Sequence, residues 1–293
     1  MRGEVELNEE KQAESVRISG AGRIAGGEYD SLDVSGSGTI EGDVKANTVS
    51  VAGSAKFEGR LEVGKLTVTG TCTIESSLQA SSLIVRGNLS VNNNLAAEVF
   101  KTYGSVAVDG NLAAEEIYLA GSSKIAGNVE CEKFTSRGSF SISKLLTADE
   151  IDIWLGTTNR AGEIGGENIK IKKRGPGLNL NREKVKHGVE SLEHGLDRIG
   201  EKLGFSIELD EEKISTGVSS LEDKMNSYIA QIGKGRLETE IVEGDSLDLE
   251  GVKAKIARGT NVIAGRDCSI DKIEYSNTIE INDNCSCGEA VKI

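Results

Sequence analysis

Proline and aromatic residues are nearly missing from this chain, which has one Pro, one Trp and 4% aromatics in 293 residues. A core built here must come from small and aliphatic side chains, and turns must be made by the 36 glycines. No run approaches the roughly 18 apolar residues of a membrane span. The opening MRGEVELNEEKQAES lacks the basic-then-apolar plan of a secretory leader. The expectation is a cytoplasmic protein. Basic residues are also in deficit, 34 Lys plus Arg against 47 Asp plus Glu, giving a net charge of -13 and a pI near 4.9. That balance repels polyanions, so no nucleic-acid partner is expected and an acidic lipid surface is disfavoured. Five cysteines, an odd number without an export signal, point to reduced thiols rather than a disulfide framework.

What the chain does have is a repeat. Gly36, Gly53, Gly70, Gly87, Gly104, Gly121 and Gly138 stand 17 residues apart without an insertion, and Gly20 precedes them one residue short. Around each glycine an apolar grid recurs. Leu32 and Val34 precede Gly36; Ile40, then Val44 and Ala46, follow it, and later repeats copy these offsets. Within a cluster the step is two, the strand period, so each repeat predicts three short strands. Hairpins would not return each residue type to one place after an odd 17. A three-sided solenoid would, stacking residue i under i+17 in parallel strands about 4.8 Å apart. The glycines are then corners, needing positive φ or close backbone approach.

From Asn181 the period changes. Val185, Leu192 and Ile199 lie on one heptad-like seam and Leu221 and Met225 on another, predicting a helical hairpin over 177–236. Strand spacing returns at Leu247 and Leu249, and the apolar pairs that follow are read as Ala254 with Ile256, Cys268 with Ile270 and Ile279 with Ile281. The organisation expected is a flexible acidic tail (1–14), a β-helix (15–174), the helical insertion (177–236) and further coils (237–293).

The units GSGTIEGDV, GSAKFEGRL, GSVAVDGNL and GSSKIAGNV, within about residues 15 to 174, resemble the bactofilins, polymer-forming cytoskeletal proteins of bacteria. The resemblance implies an all-β, right-handed three-sided parallel β-helix. It also implies end-to-end assembly without nucleotide, as a scaffold for morphogenesis or motility machinery. The helical insertion and the resumed strands depart from the compact family plan. Some members attach to membrane through a short apolar N-terminal tail, which the acidic start here does not match, so any place at the inner face of the membrane would be indirect.

Catalytic constellations are sparse. The two histidines, His187 and His194, lie on a polar flank of the first predicted helix. An acyltransferase or carbohydrate-active enzyme on the same coils is the alternative reading, but Glu41, Glu58 and Glu75, one per repeat, read as a solvated strand face. Cys268, Cys285 and Cys287 are the candidate metal ligands, short of a fourth donor; otherwise they are a small core column. No cofactor, catalytic residue or phosphate loop is predicted. The expected functional parts are the unpaired ends of the solenoid, with Val16, Ile18 and Ile24 at one end and Ile279, Ile281 and Val291 at the other, for self-association. The insertion, through Val185, Leu192, Ile199, Leu221 and Met225, is expected either to bind a protein partner or to fold back as a lid on one face of the β-helix.

Overall fold

The computed structural model describes residues 14–173 and 235–293. Among them every element is a strand and every strand pairing is parallel, in a solenoid of about 13 coils. The predicted hairpin helices fall outside the described residues. Coils are numbered here by the first of their three faces, from Val16 and Ile18 in coil 1 and Leu32 and Val34 in coil 2 to Ile279 and Ile281 in coil 13.

Three inward stacks make the core. The first face contributes pairs such as Leu66 and Val68, the second Cys72 and Ile74, the third Leu78 and Ala80, all buried. Each stacks on its counterpart a coil away, as Leu66 does between Val49 and Leu83. The rings Phe57, Phe100 and Phe134 are fully enclosed, and Phe134 meets Phe140 edge-on at 5.5 Å. Parallel strands buried only on their inner side explain the alternating apolar and polar pattern of the sequence.

The corner glycines have one dominant cause. A Cβ on Gly53, Gly70, Gly104 or Gly138 would come within 2.0–2.1 Å of the carbonyl oxygen of the glycine one coil before. Close approach, rather than positive φ, makes that column strict; among the described glycines only Gly27, Gly42 and Gly251 have positive φ. Gly20 starts the stack and has nothing within 4 Å of such a Cβ. Beside the second corner, one residue after the column that holds Gly110 and Gly127, asparagines build a ladder of their own. Asn94 Oδ1 accepts from the Asn111 N–H at 2.8 Å, and Asn111 Oδ1 from the Asn128 N–H at 2.9 Å.

The 17-residue register drifts after coil 8. Ile142 pairs with Ala161 and Ile151 with Ile169. Asn159, buried, absorbs the longer turn by accepting the Phe140 N–H at 2.8 Å. The described strands break off at Lys173 and resume, at a re-entry point, with Arg236, which pairs with Thr158. From Ile171 the first-face stack continues directly to Leu249. In the next coil Val242 pairs with Ala257 and Leu247 with Val262. This shortened coil corrects the apolar pairing read from the sequence. Val252 and Ala254 form the buried pair, Ala257 is the next inward residue, and Ile256 is only half-buried.

Candidate functional site: the solenoid ends

The end columns are built from the residues that start and finish each inward stack. At the first coil Val16 sits under Leu32, Ile18 under Val34 and Ile24 under Ile40. Val16 and Ile24 are half-buried, whereas Ile18 is 6% exposed because it fills the space over Gly22 and Gly38. At the last coil Ile279 caps Val262 and Ile281 caps Ala264, with Ile281 43% exposed. Val291 pairs with Glu274, an outward position, and Ala290 takes the inward place over Ile273. Among the described residues the strands Glu14–Ile18 and Ser286–Lys292 each pair on one edge only.

The three candidate thiols also lie in the last coils. Cys285 follows Cys268 by one coil, and Cys287 stands on Ile270. Cys268 is buried with its Sγ 3.4 Å from the Leu249 carbonyl oxygen, and burial pushes its pKa up to about 11. Burial and then the neighbouring Cys287 raise Cys285; burial raises Cys287, whose Sγ turns to the Glu289 carbonyl at 3.5 Å. Thiolates, the metal-binding form, are thus disfavoured at all three. Among the described residues no group of three or more His, Cys, Asp or Glu is placed to hold a metal ion.

Ionic ties run from coil to coil. The Glu41, Glu58 and Glu75 column meets bases: Arg23 bonds Glu41, and Lys56 lies 3.3 Å from Glu58 and 2.9 Å from Glu75. At the re-entry point Lys172 Nζ reaches Asp248 at 2.6 Å and Glu250 at 3.5 Å, joining strands on either side of the insertion. Burial works against the Lys172 ammonium, but Asp248 and Glu250 outweigh it and its pKa is raised. Burial likewise opposes the Glu250 carboxylate, and the Lys173 N–H, Lys172 and Arg266 more than compensate, so its pKa is lowered. Sequence reasoning missed this knot because its partners are 76 to 78 residues apart. Concave surface is shallow; the depression on the third face, lined by Lys45, Glu62, Gln79 and Glu98 among others, holds 510 Å³.

Repeats, parallel stacking and open column ends describe a coil-on-coil scaffold, and comparison with known proteins agrees for the first part of the chain. Residues 1–96 match the bactofilin family, described as polymer-forming cytoskeletal. The bactofilin match covers the first coils and stops well before the insertion. Two curated relatives from Bacillus subtilis (strain 168) are similar: the uncharacterized protein YhbE, 39% identical over 57 residues, and the uncharacterized protein YhbF, 38% identical over 60. Each alignment covers 20% of this chain and about a quarter of the relative, 24% and 26% respectively. No solved structure matches the chain. Among the described residues no helix is long and apolar enough to cross a membrane.

Proposed function

We propose that the chain is a non-enzymatic cytoskeletal scaffold subunit that adds end to end into filaments without nucleotide. The observation that carries this reading is the pair of solenoid ends, each with a one-sided strand edge and half-exposed aliphatic columns among the described residues. An edge strand of this kind pairs with another unless something covers it. The bactofilin match to residues 1–96 supports the polymer reading. The right-handed winding, the helical hairpin with its protein partner, and a place in the cytoplasm or at the inner membrane face in morphogenesis or motility belong to the same proposal.

The test is sedimentation and electron microscopy of purified protein without nucleotide. Because Ile18 is needed by its own coil, the charge is better placed at Val16 or Ile281. Val16→Lys and Ile281→Lys are expected to leave the thermal transition near that of the wild type and to move the protein from pellet to supernatant. A wild type that stays monomeric across protein and salt concentrations overturns the proposal.

A further inference from the structure

The outer surface of coils 5 to 10 is sorted by charge along two edges. At the corner between the third and first faces, six successive coils each present one exposed acid: Glu98, Glu115, Glu132, Asp149, Glu167 and Asp245. Each immediately precedes a residue of the paired series Val99, Glu116, Lys133, Glu150, Asn168 and Ser246, so the six form a line along the axis. Among the described residues none of the six lies in an ion pair, unlike the Glu41, Glu58 and Glu75 column. Carboxylates about 4.8 Å apart repel their neighbours by roughly 1 kcal/mol each even in water.

The first face toward its other corner is the reverse over the same coils. Arg86, Lys101, Arg137, Lys170 and Lys172 point outward there, with Asp152 the one acid in these two columns, bound to Arg137 at 2.8 Å. Three of the chain's few aromatics share this strip. Arg86 lies over the Tyr103 ring at 5.9 Å, Tyr103 meets Tyr118 at 5.9 Å, and Arg137 lies over Trp154 at 5.2 Å. Stacking orients a guanidinium while its in-plane N–H groups stay available to carboxylates. Arg86, Lys101 and Lys170 have no acid partner among the described residues.

We infer that the basic aromatic edge docks the acidic edge of a second copy lying side by side with it. The two lines run over the same stretch of coils and share one axial repeat, so unstaggered parallel copies bring the three unpaired bases Arg86, Lys101 and Lys170, in coils 5, 6 and 10, against Glu98, Glu115 and Asp245 of the same coils. The contact joins two different edges, so it is heterologous: each copy keeps a free edge for the next, and the row extends as a ribbon or closes into a ring according to the rotation between copies. An anionic membrane is the poorer occupant, since the net charge of -13 opposes it and the acid line flanks the same face. Six coils span about 25 Å, and a strip this size buries on the order of 400 Å² per copy, half of a standard interface. One pair is therefore weak, and its strength comes from repetition along a polymer, which is where this inference rests on the proposed function.

The experiment uses the full chain. Wild-type filaments are expected to lie side by side at about 0.1 M salt and to separate into single filaments at about 1 M, where screening falls to roughly 3 Å. Arg86→Glu/Lys101→Glu/Lys170→Glu should give single filaments at low salt. So should Glu98→Lys/Glu115→Lys/Asp245→Lys, and mixing preformed filaments of the two should restore side-by-side association. To separate this from polymerisation, sedimentation velocity of the end-blocked Val16→Lys/Ile281→Lys chain should show salt-sensitive weak self-association that either triple reversal removes. The inference is overturned if the triple reversals associate as the wild type does or if mixing restores nothing. It is equally overturned if the basic residues mediate binding to phosphatidylglycerol vesicles while filaments stay single. Absence of filaments, with edge-dependent association intact in the end-blocked chain, counts against the polymer reading alone.

Discussion

Gly70 lies so close over Gly53 that a Cβ on it would come 2.0 Å from the Gly53 carbonyl oxygen. The same oxygen accepts the Thr71 N–H at 2.9 Å, so the glycine corner is both a packing contact and a step of the coil-to-coil hydrogen bonding. Gly70→Ala must push two coils apart, with an expected loss of about 3 kcal/mol, the upper range for overpacking. Gly20→Ala, which meets nothing, should stay within about 0.5 kcal/mol of the wild type. Chemical denaturation of both variants checks the contrast, and equal effects would mean that coil spacing does not make this column strict.

That contact is also why so much of the fold was legible. Gly36 to Gly138 are fixed by backbone spacing, and Leu66 or Val68 by burial on one side, so both recur at 17 and announce the coil. Legibility failed where the small residues took over. Ala254 and Ala257 are buried while Ile256 is half-exposed, so apolarity alone selected the wrong neighbour once the coil shortened. Of the candidate ends, Val16, Ile24, Ile279 and Ile281 fall at stack termini because they continue a period already visible. Val291 does not, because alternation must be counted from Ile270 and Cys287, which only the pairing supplies. The two charged edges needed three dimensions, since a line of acids in sequence looks the same whether its neighbours are bases or water.

The knot at the re-entry point predicts acid sensitivity. The Glu250 carboxyl is held below its unfolded value of 4.5, so its contribution is full above that pH and is lost as pH falls through the lower, folded value. Glu250→Gln is expected to cost about 1 kcal/mol at neutral pH, in line with a partly exposed charge-assisted contact, and to flatten the decline in stability below pH 4.5. Thermal melts of the two proteins between neutral pH and strong acid check this. Parallel curves for the two would remove Glu250 from the account.

The buried thiols predict the opposite limb. Burial pushes Cys72 up to about 12, and burial, then Asp149 and Glu130, push Cys131 to about 12, against an ordinary 9.0. A folded pKa above the unfolded one leaves stability intact below pH 9 and removes it as pH rises from 9 toward 12, because only the unfolded chain releases those protons. At pH 8 a thiol-specific reagent should modify Cys285 and Cys287 first and Cys72, Cys131 and Cys268 only on unfolding. Prompt labelling of Cys72 in the native protein would contradict its enclosure.

Thr102 offers the remaining prediction. It occupies a fully buried place in the first-face stack, between Val85 below and Leu119 above, and its Oγ1 has no hydrogen-bond partner among the described residues. A hydroxyl enclosed without a partner has given up its water without replacement, a cost an isosteric methyl group does not carry. Valine keeps the branched shape and strand preference of threonine and already fills this place at Val34, Val51, Val68 and Val85. Thr102→Val is therefore expected to raise stability by about 1 kcal/mol, whereas Thr102→Ala, which removes a methyl as well, should lower it by a similar amount. Denaturant midpoints at constant m-value measure both. If Thr102→Val is destabilising, the hydroxyl has a partner in solution and the stack at this coil is less tightly closed than its neighbours.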